Sequence, residues 1–572
     1  MKLLNKYMLL ISVVFMSCAS GTQEIELSIR YNQIGYTANR PKLISVVSNN
    51  EFDKVSYIIK DASGKEIMSG ETGKGLLWND SGEYVSILDV SSINNEGEYE
   101  VLIGENKVRF KVLNNPFSDL SQALFKYYYL NRCSIELEEK YAGQWKRPAG
   151  LNDDRVKIHS SAATKERPEG TIISGSKGWF DAGDYNKYVS NSGISTYTLL
   201  SAFENYSEYY GSKEFNIPES GNNLPDVLDE VIWNLDWMLS MQDPFDGGVY
   251  HKLTGLKFSG AIMPHEYDLE RYVVKKSTSA ALNLAAVAAI ASRVFSQFET
   301  KKDYSVKLLE ASKKAYEWAK KHPEDYFRNP EGVRTGQYED DDLFGEFQWA
   351  AVELLITTKD KSYSKDIQID KISNEVPWWQ DASALSLYSI TKHSASIEKF
   401  IDVNLAKKKF LDQASELKNR IETEPMRVAM KGKDYVWGSN GVAGNQLMYL
   451  IKAYEVTNNV DYLNAVFVGL DYFLGRNGIG TTYITGQGIM SPKFPHHRTS
   501  EADKIIEPVP GMVVGGPQPG QQDKCEYFSK MPSKSYSDTW CSYASNEVTI
   551  NWNAPLVYVV NALQYNQTKN FK

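Results

Sequence analysis

The spacing of apolar residues changes once along this chain, from alternation in the N-terminal region to helical spacing in the rest. This change limits the folds that the chain can adopt. From about Ile25 to Leu113, apolar and polar residues alternate in short runs, such as Lys54 to Lys60, that end at turns such as Asp61-Ala62-Ser63-Gly64. Alternation of this kind is typical of half-buried β-strands. Asn114-Asn115-Pro116 ends the region. The pattern predicts a small all-β, immunoglobulin-like sandwich over residues 24–115.

Helical periodicity replaces the alternation from Leu120 onwards, with no strand pattern between the helices. Thr278 to Ala291 is apolar almost all round, as expected of an inner helix. The predicted helices follow one another like hairpins, which favours a large all-α domain over residues 116–572, built as an (α/α)6 barrel. Eleven segments carry the pattern: Leu120–Tyr141, Ile194–Tyr210, Leu224–Gln242, Thr278–Phe298, Ser305–Lys321, Glu346–Thr358, Ala382–Lys392, Ile397–Thr423, Val442–Thr457, Tyr462–Leu474 and Ala554–Tyr565.

Composition narrows the class of partner. The net charge of −9 argues against nucleic acid, whose phosphates attract basic surfaces. Aromatic residues make up 12% of the chain, including 36 Tyr and 12 Trp, and exposed rings serve as flat binding surfaces. A neutral substrate with flat faces fits both observations. We expect the protein to act as a monomer.

The first twenty residues have the pattern of a lipoprotein-type signal peptide. Lys2 and Lys6 give a basic start, and Met8 to Met16 form an apolar run too short to span a bilayer. Cys18, placed directly after that run, resembles a bacterial lipoprotein acylation site, although Phe15 and Met16 depart from the usual residues. The sequence therefore predicts export and a lipid anchor on Cys18 at the outer membrane, the cell surface or the periplasmic face. Plain secretion is the alternative.

The remaining cysteines give no metal-binding pattern. Cys133 lies in a helical segment, and none of the three has the CxxC spacing of a zinc site. Cys525 and Cys541 can form a disulfide outside the cytoplasm, but spacing alone does not establish their geometry. The pairing is left open at this point.

The stretch Gly178 to Val189 carries two carboxylates three residues apart, Asp181 and Asp184, with aromatic residues on both sides. Acids crowded among rings have pKa values moved by desolvation and mutual repulsion, which suits a base that must hold a water. A turn with two solvated acids is the alternative interpretation.

A second acid-bearing stretch, Tyr536 to Pro555, favours the catalytic interpretation of the first stretch over the solvated turn. Glu547 lies there among apolar and aromatic residues that disfavour its charge and predict a protonated acid near neutral pH. Between the two stretches, Pro492 to Arg498 ends in three hydrogen-bond donors. A carboxylate that activates water, a protonated acid and flat rings are the requirements of glycoside hydrolysis.

Three separate stretches resemble motifs of glycoside hydrolase family 9, the endoglucanases. Asp181-Ala182-Gly183-Asp184 looks like the family's water-binding pair, and Thr482 to Gly488 followed by Pro495-His496-His497-Arg498 looks like its histidine motif. The spacing of its acid motif is matched by Tyr536, Asp538, Tyr543, Glu547, Thr549, Asn553 and Ala554. The resemblance runs from about Leu120 to the C-terminus, and many members carry an immunoglobulin-like module before it.

The resemblance implies a role for each of these polar residues. Asp184 would be the general base, Asp181 would share its water, and Glu547 would be the general acid. His496 and Arg498 would hydrogen-bond sugar hydroxyls near the cleaved bond. Because the family inverts configuration, the same chemistry is expected here.

Further substrate contacts follow from the resemblance. His251 looks like another sugar contact, and Asp538 would support the surroundings of the acid. Trp379, Trp437 and Trp552 look like stacking platforms along a cleft. The alternatives are that the tryptophans lie in the core and that His251 and Asp538 serve loop structure only.

No cofactor is expected. The Cys-His pair of the zinc site found in some members is missing at Pro148-Ala149-Gly150, so we predict no zinc there. Asp340-Asp341-Asp342 with Glu346 supplies oxygen ligands that calcium accepts, but a solvated acidic helix start is the favoured interpretation. Met490 stands where the family has a basic or amide residue, which would reshape one side of the cleft.

The sequence thus predicts an inverting endo-β-1,4-glucanase that hydrolyses plant cell-wall β-glucans. Xyloglucan and mixed-linkage β-glucan are the favoured substrates, because no appended carbohydrate-binding module is visible and such an enzyme suits soluble chains. One alternative is a surface lipoprotein that binds glycan without cutting it. Another is an exo-acting β-glucan hydrolase of the same fold.

Overall fold

A computed structural model describes residues 25–570, with side chains through residue 567. The predicted signal peptide, residues 1–20 with Cys18, lies outside the described residues. The description begins with the alternating region and covers every segment for which a helix is predicted.

The alternating region forms a sandwich of two β-sheets. One sheet has the strand order β1-β3-β7-β6, and the other has the order β2-β9-β8-β4-β5, in which β2 runs parallel to β9. Apolar side chains from both sheets, among them Val46, Ile59 and Val101, fill the space between them. The nine strands are β1 (Ser28–Arg30), β2 (Tyr36–Thr37), β3 (Leu43–Ser48), β4 (Ser56–Asp61), β5 (Glu66–Glu71), β6 (Leu76–Trp78), β7 (Glu83–Asp89), β8 (Gly97–Ile103) and β9 (Asn106–Leu113).

Eleven long helices follow, one for each segment that the periodicity predicts. They are α1 (Ser118–Leu130), α2 (Val189–Ser212), α3 (Asp226–Ser240), α4 (Thr278–Phe295), α5 (Lys302–Lys321), α6 (Phe344–Thr358), α7 (Ser383–Lys392), α8 (Val403–Thr423), α9 (Ser439–Thr457), α10 (Val460–Leu470) and α11 (Ile550–Asn570). Four shorter helical segments span Glu139–Ala142, Ser394–Ile397, Arg498–Ala502 and Tyr543–Asn546.

Six of the long helices close an inner ring. In order around it, α2, α4, α6, α7, α9 and α11 each contact the next, and α11 contacts α2 again. The helices α1, α3, α5, α8 and α10 pack outside this ring. Where the twelfth helix of an (α/α)6 barrel would lie, the short 3₁₀ segment Lys361–Asp366 packs against α6.

The inner helix α4 has small, apolar residues on almost every side, which suits its place in the ring. All its residues except Arg293 are buried, and its many alanines allow neighbouring helices to approach closely. Within residues 25–570 it is the one helix long and apolar enough to cross a membrane, yet 94% of it is buried inside the barrel. Its composition therefore reflects its central place in the core.

A small sheet interrupts the helical domain, which the hydrophobic pattern did not predict. It has the order β11-β10-β14-β13-β12, and β10 and β11 lie within residues 152–177. Its strands are β10 (Val156–Ile158), β11 (Ile172–Ile173), β12 (Lys187–Tyr188), β13 (Lys252–Thr254) and β14 (Tyr272–Val273). Strands of two or three residues are too short to show a period. The strand β12 joins the Asp181–Asp184 turn to α2.

The sandwich is packed against the barrel. Val47, Trp78 and Val85 bury their side chains in the same hydrophobic cluster as the barrel helices. Glu83 accepts hydrogen bonds from Arg30 of the sandwich and from Lys534 of the barrel domain, at 2.7–2.9 Å. The two domains therefore share a buried boundary.

One disulfide links Cys525 to Cys541, the pairing that the sequence left open. It closes the loop that leads into the Glu547 segment. Cys133 is free and buried, and its thiol lies 3.7 Å from the ammonium of Lys187.

Candidate active site

The Asp181–Asp184 turn is fixed by the start of the last helix. The carbonyl oxygen of Asp181 accepts hydrogen bonds from the backbone N–H of Ile550 (3.0 Å) and the hydroxyl of Thr549 (2.8 Å). Both carboxylates are nearly buried, with 1% of Asp181 and 6% of Asp184 exposed. Chain segments separated by more than 360 residues therefore meet at this turn.

Hydrogen-bond donors surround the two carboxylates. Asp181 accepts from the hydroxyl of Tyr338 (2.6 Å) and the amide of Asn191 (2.8 Å), while both oxygens of Asp184 accept from Asn186 (2.9 and 3.0 Å). Burial, followed by the charge of Asp184, raises the pKa of Asp181 to about 8. The pair therefore favours a state in which Asp181 holds a proton beside Asp184.

A chain of polar groups stands behind Asp184 that the sequence did not reveal. The carbonyl oxygen of the Asn186 side chain lies 3.0 Å from the hydroxyl of Thr254, which lies 2.7 Å from that of Thr335. Lys252, whose pKa burial lowers to about 7, donates to Thr335 at 3.0 Å. With its carbonyl oxygen engaged in this way, the Asn186 side chain presents its NH₂ group to Asp184. The chain thus fixes the orientation of the carboxylate.

Glu547 follows the short helix Tyr543–Asn546 and faces the same turn. Its backbone forms a parallel bridge with His496 and accepts a hydrogen bond from the N–H of Gly515 at 2.8 Å. Burial and the charge of Asp184 raise the pKa of Glu547 to about 8, and Arg498 partly opposes them. Glu547 therefore carries a proton at neutral pH, as the sequence predicted.

His496 is held in one tautomer. Its Nδ1 lies 2.8 Å from the carbonyl oxygen of Trp540, and because a carbonyl only accepts, Nδ1 carries the hydrogen. The ring stacks on Trp540 with centroids 4.2 Å apart, and burial lowers the histidine pKa. In the neutral ring, Nε2 therefore remains free to accept a hydrogen bond.

Arg498 connects its own loop to two other segments of the site. Its Nε donates to the carbonyl of Ser259 (3.1 Å), and its Nη1 donates to the carbonyl of Gly183 (2.8 Å). Two of its donors thus hold protein backbone.

One cleft of about 830 Å³ collects these groups. Eight of the ten predicted site residues line it: Asp181, Asp184, Glu547, His496, Arg498, Trp379, Trp437 and Trp552. Tyr338, Trp378 and Phe258 line it as well, although the sequence did not single them out.

The aromatic residues differ in how far they project. Trp437 and Trp378 are 42% and 41% exposed, so neither is a core residue. Trp379 is half-buried and meets Tyr338 edge-on, with centroids 4.9 Å apart. Trp552 is 9% exposed and packs so closely on Gly441 that a Cβ there would lie 2.3 Å from its ring. Trp552 therefore shows the cleft only an edge.

The structure does not bring His251 to the cleft. Its Nε2 lies 3.0 Å from the carbonyl of Gln337, its Nδ1 lies 2.8 Å from the hydroxyl of Ser277, and its ring stacks on Phe327 at 3.7 Å. The side chain is fully buried. With both nitrogens engaged by protein, His251 holds the backbone next to Tyr338 instead of contacting sugar.

Asp538 also lies outside the lining of the cleft. Its carboxylate accepts hydrogen bonds from the backbone N–H groups of Lys493 (2.7 Å) and Phe494 (3.0 Å) and from the side chain of Asn546 (3.0 Å). It therefore ties the loop that carries His496 to the segment that carries Glu547. Its support of the acid's surroundings stays a prediction.

The acidic cluster at the start of α6 is only partly solvated, contrary to the interpretation favoured from sequence. Asp341 is exposed and pairs with Arg328, but Asp340 is 7% exposed and Glu346 is fully buried. Burial raises the pKa of Asp340 to about 7 and that of Glu346 well above its usual range. Across residues 25–570, no group of three or more His, Cys, Asp or Glu side chains is arranged to hold a metal ion.

Comparisons with known proteins agree with this geometry. The description "Glycosyl hydrolase family 9" matches residues 117–560, and "Cellulase N-terminal ig-like domain" matches residues 25–108. A xyloglucan-specific endo-beta-1,4-glucanase of Bacteroides ovatus is 41% identical, covering 97% of each chain. Endoglucanase D of Acetivibrio thermocellus is 32% identical, covering 98% of this chain and 87% of its own. The solved structure of Bacteroides ovatus GH9 has a TM-score of 0.87 at 39% identity, covering 94% of this chain and 99% of that one.

These matches confirm the predicted fold class, a sandwich followed by a helical barrel, and the predicted enzyme class. The chain belongs to glycosyl hydrolase family 9 and is an inverting endo-β-1,4-glucanase with an N-terminal immunoglobulin-like domain.

Proposed function

We propose that this endoglucanase acts on plant cell-wall β-glucan, with branched xyloglucan as its preferred substrate and mixed-linkage β-glucan as the second candidate. The single observation behind this preference is 41% identity, across 97% of both chains, to a xyloglucan-specific enzyme. The cleft of about 830 Å³ adds support, since exposed rings such as Trp378 and Trp437 line it and offer flat faces to sugars.

In the proposed mechanism Asp184 is the general base. It takes a proton from a water as the oxygen of that water bonds to the anomeric carbon, and Asp181 helps to hold the water. Glu547 gives its proton to the glycosidic oxygen as the bond between that oxygen and the anomeric carbon breaks. The water attacks from the face opposite the leaving group, so configuration inverts. General acid and base catalysis each contribute about 10²- to 10⁴-fold in rate.

His496 and Arg498 are proposed to bind hydroxyls of the sugars that flank the cleaved bond. The free Nε2 of His496 accepts from a hydroxyl, and the unused N–H groups of Arg498 donate to one. Trp379 and Trp437 are proposed to stack against pyranose faces, and Trp552 contributes the edge that the cleft exposes.

Substitution of the proposed acid distinguishes an enzyme that cuts glycan from a protein that only binds it. Glu547→Gln should abolish release of reducing ends, because the amide has no acidic proton to give, while affinity for the glycan is largely retained. Asp184→Asn should lose activity in the same way. Proton NMR of the first product should show the α-anomer. Wild-type protein that binds xyloglucan yet cleaves no β-glucan would favour the alternative of a glycan-binding lipoprotein.

Initial rates on xyloglucan, barley β-glucan and carboxymethylcellulose test the substrate. We expect the highest kcat/KM on xyloglucan, and the highest value on carboxymethylcellulose would overturn the proposal. Viscosity should fall before much reducing sugar appears, because internal cuts shorten chains at once. Early release of disaccharide or glucose without loss of viscosity would indicate the exo-acting alternative.

We also propose that the enzyme is exported as a monomer and anchored through lipid on Cys18. The expressed full chain should partition into the detergent phase, and Cys18→Ser should move it to the aqueous phase. If the wild-type chain and Cys18→Ser partition equally, the result would indicate plain secretion. No cofactor is proposed, so dialysis against EDTA should leave kcat unchanged. A loss of activity that calcium restores would overturn this proposal.

A further inference from the structure

The short segment from Gly255 to Ile262 forms part of the cleft edge and is tightly anchored. It follows β13 and has little regular secondary structure. Four of its eight residues are nevertheless held by hydrogen bonds from elsewhere in the chain. The N–H of Gly255 donates to Oδ1 of Asn186 (3.1 Å). The carbonyl oxygens of the other three residues accept hydrogen bonds: Leu256 from the N–H of Arg334 (2.8 Å), Ser259 from Nε of Arg498 (3.1 Å) and Ile262 from the hydroxyl of Tyr185 (2.5 Å). The backbone of this segment is therefore fixed before any ligand binds.

Phe258 projects from the middle of this segment into the cleft. Its ring is 43% exposed, and the guanidinium carbon of Arg498 lies 5.4 Å from the ring centroid. The same guanidinium donates to the carbonyl of Gly183, within the turn that carries Asp184. Arg498 thus links the ring directly to the catalytic turn.

An exposed ring on a fixed backbone is suited to binding sugar. Its apolar face remains in water when the cleft is empty, and covering it with the C–H face of a pyranose is favourable. Because the segment is already anchored, little conformational entropy is lost when a ligand covers the ring.

We propose that Phe258 forms a subsite for a side-chain sugar of a branched β-glucan, on a backbone unit next to the cleaved bond. The backbone of the substrate must run between Asp184 and Glu547, whereas Phe258 stands at the edge, beyond the Arg498 guanidinium. A sugar that branches outward from the backbone reaches that edge. The subsite rests on the proposed xyloglucan preference and adds a residue that recognises the branch.

The test compares Phe258→Ala on two substrates, xyloglucan and unbranched barley β-glucan. We expect kcat/KM to fall about tenfold on xyloglucan, a typical loss for an aromatic contact, and less than about twofold on barley β-glucan. Phe258→Trp keeps a flat face and should retain most of the xyloglucan activity. Phe245→Ala is the matched control, because Phe245 is also an exposed ring, at 63%, lying beside an arginine, Arg167, but away from the cleft.

Equal losses on the two substrates would overturn the proposal, because they would place the ring against the backbone of the glucan. No loss on either substrate would also overturn it. The rates of the wild-type enzyme distinguish failure of the subsite proposal from failure of the proposed function. If the wild-type enzyme prefers an unbranched glucan, the xyloglucan preference is wrong, whatever Phe258→Ala shows. Thermal unfolding of Phe258→Ala should match wild type, since the ring is exposed.

Discussion

Gly183 and His496 are in direct backbone contact at the centre of the cleft. A Cβ built on Gly183 would lie 2.0 Å from the carbonyl oxygen of His496, closer than real atoms approach. The N–H of Arg498 donates to the carbonyl of Gly183 at 3.1 Å. The turn that bears Asp184 and the loop that bears His496 can therefore meet only because residue 183 has no side chain.

Gly183→Ala should consequently separate the two loops and disable the enzyme. We expect kcat/KM to fall at least about 100-fold, since displacements near 1 Å in an active site have effects of that size. Gly211→Ala is the control, because Gly211 lies in α2 and a Cβ there would meet nothing within 4 Å. Wild-type activity in Gly183→Ala would show that this contact is not needed to align the acids.

Tyr338 holds the carboxylate of Asp181 through a hydrogen bond of 2.6 Å. Tyr338→Phe removes that donor and leaves the ring, so the water shared by Asp181 and Asp184 should lose its alignment. We expect kcat to fall about twofold to tenfold, corresponding to about 0.5–1.5 kcal/mol for a hydrogen bond to a neutral acid, because Asp181 holds a proton at neutral pH. Tyr272→Phe, which removes a hydroxyl bonded to the exposed Glu270, serves as the control and should leave kcat unchanged.

The raised pKa of Glu547 makes folding stability depend on pH. The carboxyl ionises near 4.5 when unfolded and at about 8 in the folded protein, so the folded state keeps a proton that the unfolded state loses. Wild type should therefore lose stability as pH rises from about 4.5 to about 8. Because an amide does not ionise, Glu547→Gln should gain Tm relative to wild type at pH 8 but not at pH 4.5.

Thermal scans at several pH values measure this difference, and Glu169→Gln, at an exposed position, provides the baseline. A Tm difference between Glu547→Gln and wild type that stays constant with pH would contradict the raised pKa. The same pKa predicts that activity declines as pH rises past about 8, because the acid then lacks the proton that it must give.

Periodicity was sufficient to predict the helices but not every feature of the barrel. Each of the eleven predicted helical segments contains a helix, because burial of one face against the ring requires apolar residues at a spacing of three or four. The strand β12 was missed because two residues carry no period. In the predicted segment Ile397–Thr423 the long helix begins only at Val403, because Asp402 caps it there through its side chain.

The site was predictable where its residues belong to motifs and not elsewhere. Asp184, Glu547 and His496 stand in stretches whose spacing indicates their chemistry. His251 also belongs to such a stretch, yet spacing cannot show that both its nitrogens are engaged by protein. Lys252 and Phe258 reach the site only through tertiary packing. No local pattern distinguishes them from a core lysine and a loop phenylalanine.

Glu83 carries one of the buried polar contacts between the two domains, and its substitution should destabilise both. Its carboxylate is 5% exposed and binds Arg30 and Lys534, so Glu83→Gln would leave two poorly hydrated cations without a counter-charge. Breaking a buried ion pair costs about 3–5 kcal/mol, whereas exposed pairs contribute about 0–1 kcal/mol.

Urea unfolding should therefore show a loss of about 3 kcal/mol for Glu83→Gln, at the lower end of that range because Lys534 is 26% exposed. Glu100→Gln is the matched control, since Glu100 pairs with Lys107 and Arg109 on the surface of the same sandwich, and it should lose much less stability than Glu83→Gln. Lys534 lies just before the acid motif, so Glu83→Gln should also lower kcat. Equal losses for the two variants would mean that the Glu83 contacts stabilise the domain boundary no more than a surface ion pair does.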